Sequence, residues 1–268
     1  MSKEVTDGKK VEKKLKLRYP KIEFDKLQIY FNFPYVIDLE NANGSLAIKI
    51  PTMYQYVSTG EKKFLSTLNI FTTNTTECRA ALWDMGIDWN EISDFDLFCM
   101  SYRQIDHDVS SFFFGEEIKF DEFQLYKKGD SVVLYNEALD IEINEDVYQH
   151  IAQYIRILFR MNPEEKITKD STLKNMYIQK DKSEMANRQK LKKESSFSIQ
   201  PLVSACVNHP GFKYNLKQVL DMSIYEFYDS VGRLNIYENT TAMLKGMYSG
   251  FVDTSKIDNS NLNFMREQ

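Results

Sequence analysis

Between Pro163 and Ser198 the chain loses its apolar periodicity, and this interruption limits how the rest can be assembled. Nine Lys/Arg and six Asp/Glu crowd the stretch alongside Gln, Asn and Ser, and apolar residues gather only at Leu173, Met176, Tyr177 and Ile178. Such a composition cannot by itself bury enough apolar surface to offset the entropy of ordering. Residues 163–198 therefore read as a basic linker or an exposed helix. They separate an expected α+β domain (22–162) from an expected helical C-terminal unit (199–268), and residues 1–21 read as a disordered basic arm. A hydrophobic content of 43%, with 13% aromatic residues, is enough to give a chain of this length a core.

Two regions of the larger part have β character. "KIEFDKLQIYFNF" and "YVIDLENANGSLAIKIP" alternate with period two around an Asn-Gly turn, which predicts a hairpin. "IKFDEFQLYKKGDSVVLYNEALDIEI" predicts a second one, turning at "KKGD". Helical patterns lie between and after these regions. "TMYQYVSTGEKKFLSTLNIFTTN" reads as a helix broken at Gly60, and Asn74 with Glu77 opens a helix that Gly86 closes. Asn144 caps the clearest amphipathic helix, with Val147, Ile151, Tyr154, Ile155 and Leu158 on one face and Arg156 and Arg160 towards its end. Beyond residue 199 all patterns are helical, the longest from Ser223 to about Tyr248. The fold class expected is α+β: an N-terminal domain of β-hairpins with helices, plus a small all-helical C-terminal unit.

One ten-residue pattern occurs twice, as "WNEISDFDLF" (89–98) and "VLDMSIYEFY" (219–228). Ser93 and Ser223 stand as N-caps, with Asp96 and Glu226 three residues on to complete capping boxes. Asp is the shorter acid, so its reach back is the less assured. Ile92 with Leu97, and Met222 with Phe227, are placed as hydrophobic staples, and Glu91 and Asp221 lie near the positive helix end. Three readings stay open: helix-start grammar reached twice, an interaction helix or duplicated helical module, and a distant family signature. On the second reading Trp89, Phe95, Phe98, Tyr225 and Tyr228 are the partner-binding residues.

The chemistry-bearing residues point away from catalysis. Cys78, Cys99 and Cys206 are odd in number and widely spaced, which suits reduced thiols in a cytoplasmic setting. "DHD" (106–108) reads as an exposed polar turn and "CVNH" (206–209) as a buried thiol followed by a turn, because neither has a partner cluster of metal-ligand spacing. No phosphate-cradling glycine motif, nucleophile elbow or zinc-protease motif occurs. No catalytic residue, metal or cofactor is expected, and a metal-dependent nuclease is the weakest alternative. Residues 22–162 hold 11 Lys/Arg against 23 Asp/Glu, the wrong sign for a groove that must neutralise phosphates. No apolar run approaches the roughly 20 residues of a membrane span, and the charged N-terminus lacks the apolar region of a secretory signal.

Three stretches carry a family resemblance. "LAIKIPTMYQYVSTGEKKF" (46–64), the helix entries "ALWDMGIDWNEISDFDLFCM" (81–100) and "VLDMSIYEFYDSVGRLN" (219–235), and "MLKGMYSGFVDTSKID" (243–258) resemble bacteriophage tail assembly chaperones and related tail-module proteins. The resemblance implies a non-enzymatic factor that binds other phage tail proteins, with self-association an option, in the host cytoplasm. The alternative it implies is a structural component of the virion. No small-molecule substrate, membrane or nucleic-acid partner is expected.

Overall fold

The computed structural model describes residues 18–39, 44–129, 131–190, 198–250 and 258–267. The first element departs from the expected strand: "KLQIY" forms helix α1 (Lys26–Tyr30). The Asp25 carboxylate accepts the Leu27 and Gln28 amides at 2.9 and 3.2 Å, and this N-cap overrides the period-two alternation around it. The hairpin follows, with β1 (Tyr35–Asp38) antiparallel to β2 (Ser45–Ile48) and Tyr35 opposite Ile48. Of its expected turn, "NANGS" (41–45), residues 41–43 lie outside the described residues.

Thr52 then opens α2 (Met53–Thr59) with a full capping box, and Gly60 separates it from α3 (Glu61–Thr72). The Gly60 φ of +92° is a conformation that side-chain-bearing residues avoid, which explains the break at that position. Three short helices follow: α4 (Arg79–Asp84), α5 (Asp94–Ser101) and α6 (His107–Phe114). Helix α6 corrects the exposed polar turn read at residues 106–108. Asp106 is its N-cap and accepts the Val109 amide at 3.3 Å, while Phe113 and Phe114 turn into the core.

The second β region forms an antiparallel three-stranded sheet of β3 (Gln124–Lys128), β4 (Ser131–Asn136) and β5 (Ile141–Ile143), in that order. Asn144 caps α7 (Glu145–Leu158) as expected, accepting the Val147 amide at 2.9 Å. The remaining helices are α8 (Ser171–Lys190), α9 (Gln200–Val207), α10 (Leu216–Asp221) and α11 (Ile224–Tyr248). The molecule is thus α+β, with helices throughout its C-terminal part.

Aromatic side chains from α3, α5, α6 and α7 fill the centre. Phe98 stacks on Tyr148 with ring centroids 4.8 Å apart, and Phe71 meets Phe98 at 5.7 Å and Phe120 at 5.2 Å. Ile199, Val219, Met222, Ile224 and Phe227 join this same cluster. The joint is reinforced by backbone bonds: Met53 donates to the Met222 carbonyl at 2.9 Å and Ile224 to the Pro51 carbonyl at 2.8 Å. Of the expected arm, residues 1–17 lie outside the described residues. Arg18 is docked, its guanidinium donating to Thr75 Oγ1 at 3.0 Å, to the Trp89 carbonyl at 3.1 Å and to the Ile92 carbonyl.

Candidate functional site

The repeated pattern begins two helices, but the copies are held differently. Before α5, Ser93 Oγ accepts the Asp96 amide at 2.9 Å and the Ser93 amide donates to Asp96 Oδ2 at 2.8 Å, a complete capping box. Before α11, Ser223 Oγ accepts the Glu226 amide at 3.1 Å, the one half of the box that forms there. The other half gives way to tertiary structure, because residues 222–224 run alongside Pro51–Met53 and Ser223 forms an isolated β-bridge with Thr52. Asp, the shorter acid, makes the reach, and Glu does not.

The five aromatics expected to meet a partner are placed inside. Trp89, Phe95, Phe98 and Tyr225 are at most 5% exposed, and Tyr228 is half-buried against Phe159. They do not form one surface. Phe95, Phe98 and Tyr225 belong to the central cluster, with the Arg160 guanidinium 5.3 Å from the Tyr225 ring centre, and Trp89 lies in a second cluster with Leu82 and Ile178. Burial pushes the Tyr228 phenol up to about 12, with nearby Glu61 acting in the same direction.

The exposed apolar residues lie elsewhere. On and just after α1, Leu27 is 65%, Tyr30 42% and Phe31 64% exposed. Leu27 and Tyr30 line an open groove of about 820 Å³ whose other walls come from the end of α7 and the start of α11. Arg160, Asp229 and Arg233 lie along it, with Arg160 donating to Asp229 at 2.6 Å. Lys26 and Glu267 close one side with an exposed ion pair at 3.1 Å. Sequence reading missed this surface because it took α1 for a strand; the available signal was Asp25 at an N-cap position.

A second surface lies under α8. Segment 164–168 crosses the helix-poor stretch after α4: Trp89 Nε1 donates to the Lys166 carbonyl at 3.0 Å and Asn90 Nδ2 to the Thr168 carbonyl at 3.1 Å. Arg79 then grips Asp181 through two bonds of 2.6 Å, and its guanidinium lies 5.1 Å from the Tyr177 ring centre. Lys174 pairs with Asp88 and Lys182 with Asp84. Burial acts against the Asp88 carboxylate, but Lys174 and the Asn90 amide hold it below the ordinary carboxylate range.

The "DHD" acids are occupied, since Lys63 reaches Asp106 at 3.1 Å and Asp108 at 2.7 Å. In "CVNH", burial pushes the Cys206 thiol up, and His209 accepts the Gly211 amide at 3.0 Å in a turn. Among the described residues no group of three or more His, Cys, Asp or Glu is placed to hold a metal ion. Among them, too, no helix is long and apolar enough to cross a membrane.

Fold and surfaces thus define an α+β protein with a helical C-terminal part, a solvent-open apolar groove and a helix held on by charge. Residues 190–267 match the family model of the YomV second domain. YomV is a phage SPBc2 region protein, so the match likens this part of the chain to a phage-associated domain. No curated protein and no solved structure matches the chain.

Proposed function

We propose that the protein is a non-enzymatic phage assembly factor that binds helical segments of a tail protein during virion morphogenesis, in the host cytoplasm. The observation that supports this reading is the exposed strip of Leu27, Tyr30 and Phe31 at the α1 groove. Contiguous exposed apolar side chains on a soluble surface mark interaction sites, and an open apolar groove with a charged rim suits the apolar face of an amphipathic helix. One wall of the groove, Tyr225, Asp229 and Arg233, belongs to the phage-related span. Of the aromatics of the two helix entries, Tyr225 is the one that lines this groove.

The test is co-expression of the full chain with the tail proteins of its phage. Replacing Leu27 and Tyr30 by Asp should abolish co-purification of the partner at unchanged thermal stability. Retained capture would sink the reading. Mass spectrometry of purified particles supplies the second arm: an assembly factor is absent from them, and its presence would make the protein a structural component of the virion.

A further inference from the structure

Helix α8 is held against the rest of the molecule largely by ion pairs. Of its described side chains Ile178 is buried, with Tyr177 packed beside it, and the other grips are charges. Arg79–Asp181, Asp88–Lys174 and Asp84–Lys182 run along the contact. The surface beneath is apolar and belongs to a cluster separate from the central core: Leu82 and Trp89 are buried in it, and Ile87, Ile92 and Leu97 pack against them. This face, bordered by Arg79, Asp84 and Asp88, is complementary in charge to a helix that carries one Asp and two Lys.

We propose that this face is a helix-binding groove which α8 fills as an internal ligand, and that a partner helix of the same pattern displaces α8 from it. The pattern is an Ile preceded by an aromatic residue, a Lys four positions before the Ile, and Asp-Lys three and four positions after it. Charge complementarity identifies this occupant, because the Asp meets Arg79 and the two Lys meet Asp88 and Asp84. The partner is a helix of another protein, so the inference rests on the helix-binding reading above; it assigns that reading a second site and the partner's chemistry. Displacement exchanges like for like: α8 gives up Ile178, the largely buried Arg79–Asp181 and Lys174–Asp88 pairs and the exposed Lys182–Asp84 pair, and the incoming helix replaces each of them.

The probe is a synthetic peptide of residues 166–187 of this chain, titrated against the full-length protein without any phage component. The attached α8 competes at high effective concentration, so a D181R chain should bind the peptide at least about tenfold more tightly than the unaltered chain does. A peptide carrying D181R should in turn prefer an R79E chain. Equal binding to the unaltered and D181R chains, or loss of the charge-swap preference, overturns the proposal. If D181R fails to fold, the K174E/K182E chain replaces it, since that chain keeps the groove intact. Loss of the cooperative fold in both would make α8 an integral part of the core and would also overturn it. Dimerisation of the unaltered chain through exchanged α8 would assign the groove to a second copy, with the same consequence. None of these outcomes touches capture at the α1 groove, so the two readings fail separately.

Discussion

Asp94 is buried at the first position of α5, where its carboxylate accepts the Thr75 amide at 3.0 Å and lies 3.7 Å from the Arg156 guanidinium. That separation is too long for a hydrogen bond, and Arg156 takes its own from Nε to the Thr72 carbonyl at 2.8 Å. Burial raises the Asp94 carboxyl above its ordinary value, against the pull of the Thr75 amide and Arg156. Asp94→Ala should cost roughly 3 kcal/mol in urea unfolding, because it orphans the Thr75 amide and leaves Arg156 buried with less compensation. Asp94→Asn keeps a carbonyl for Thr75 and removes the titration. Since the folded pKa is raised, the contribution of Asp94 is fully present below the ordinary value of 3.8 and is lost as pH rises through the folded value. The stability of the unaltered chain relative to Asp94→Asn should therefore fall over that window; a rise would contradict the assignment. Phe98→Ala should cost about 3–5 kcal/mol through a cavity beside Tyr148 and Phe71. At this scale the caps at Ser93, Asn144 and Ser223 were legible in sequence, because a cap is a local bond. The expected start at Asn74, by contrast, gives way to a helix that begins at Arg79 with no side-chain cap. Whether Phe98 faces a partner or the core was not legible, because an inward stripe and a docking stripe share one spacing.

Among the elements, α7 was readable from its apolar spacing and Asn144, and the second β region from its alternation around the "KKGD" turn. Helix α1 was not, because Asp25 decides it against the alternation, and α6 was hidden behind Asp106–Asp108, which read as a polar turn. The docking of α8 could not be read at all. Arg79 and Asp181 lie 102 positions apart, and a charged helix looks the same in sequence whether solvated or held. The physical character of that docking is nevertheless testable by hydrogen exchange. Salt screens the exposed Lys182–Asp84 pair more than the largely buried Arg79–Asp181 and Lys174–Asp88 pairs, so α8 amides near Lys182 should lose protection first between about 0.05 and 1 M NaCl while α7 amides keep theirs. Acid should act in the same direction. The Asp88 carboxyl is depressed in the fold, so its contribution is present above its ordinary value of 3.8 and is lost as pH falls through the folded value. Protection near Lys182 that is unchanged at high salt would show that Ile178 and Tyr177 hold the helix without that pair.

Across the whole molecule, the interruption at residues 163–198 suggested two folding units, and the helical character of the second was legible. What sequence could not convey is how the parts meet. Ile199, Val219, Met222, Ile224 and Phe227 lie in one apolar cluster with Tyr56, Phe64 and Phe159, and α2 exchanges backbone bonds with residues 222–224. Buried Tyr56 also donates its hydroxyl to Glu61 at 3.1 Å, and the same Glu61 accepts the Ile199 amide at 2.6 Å. Removing residues 199–268 would uncover apolar surface on α2, α3 and α7, take the Ile224 amide from the Pro51 carbonyl and leave Glu61 with Tyr56 but without the Ile199 amide. A core shared in this way unfolds as a unit. The full chain should therefore show one denaturant transition in which far-ultraviolet circular dichroism and tryptophan fluorescence coincide. A chain ending at residue 162 should have a midpoint well below it, or aggregate. Both native tryptophans, Trp83 and Trp89, lie before residue 162, so a tryptophan placed at the half-buried Tyr228 reports on the other side of the joint. Separate midpoints for the two sides would mean that the shared cluster is a docking interface between independent folding units, and the α1 groove that spans them would then open and close with it.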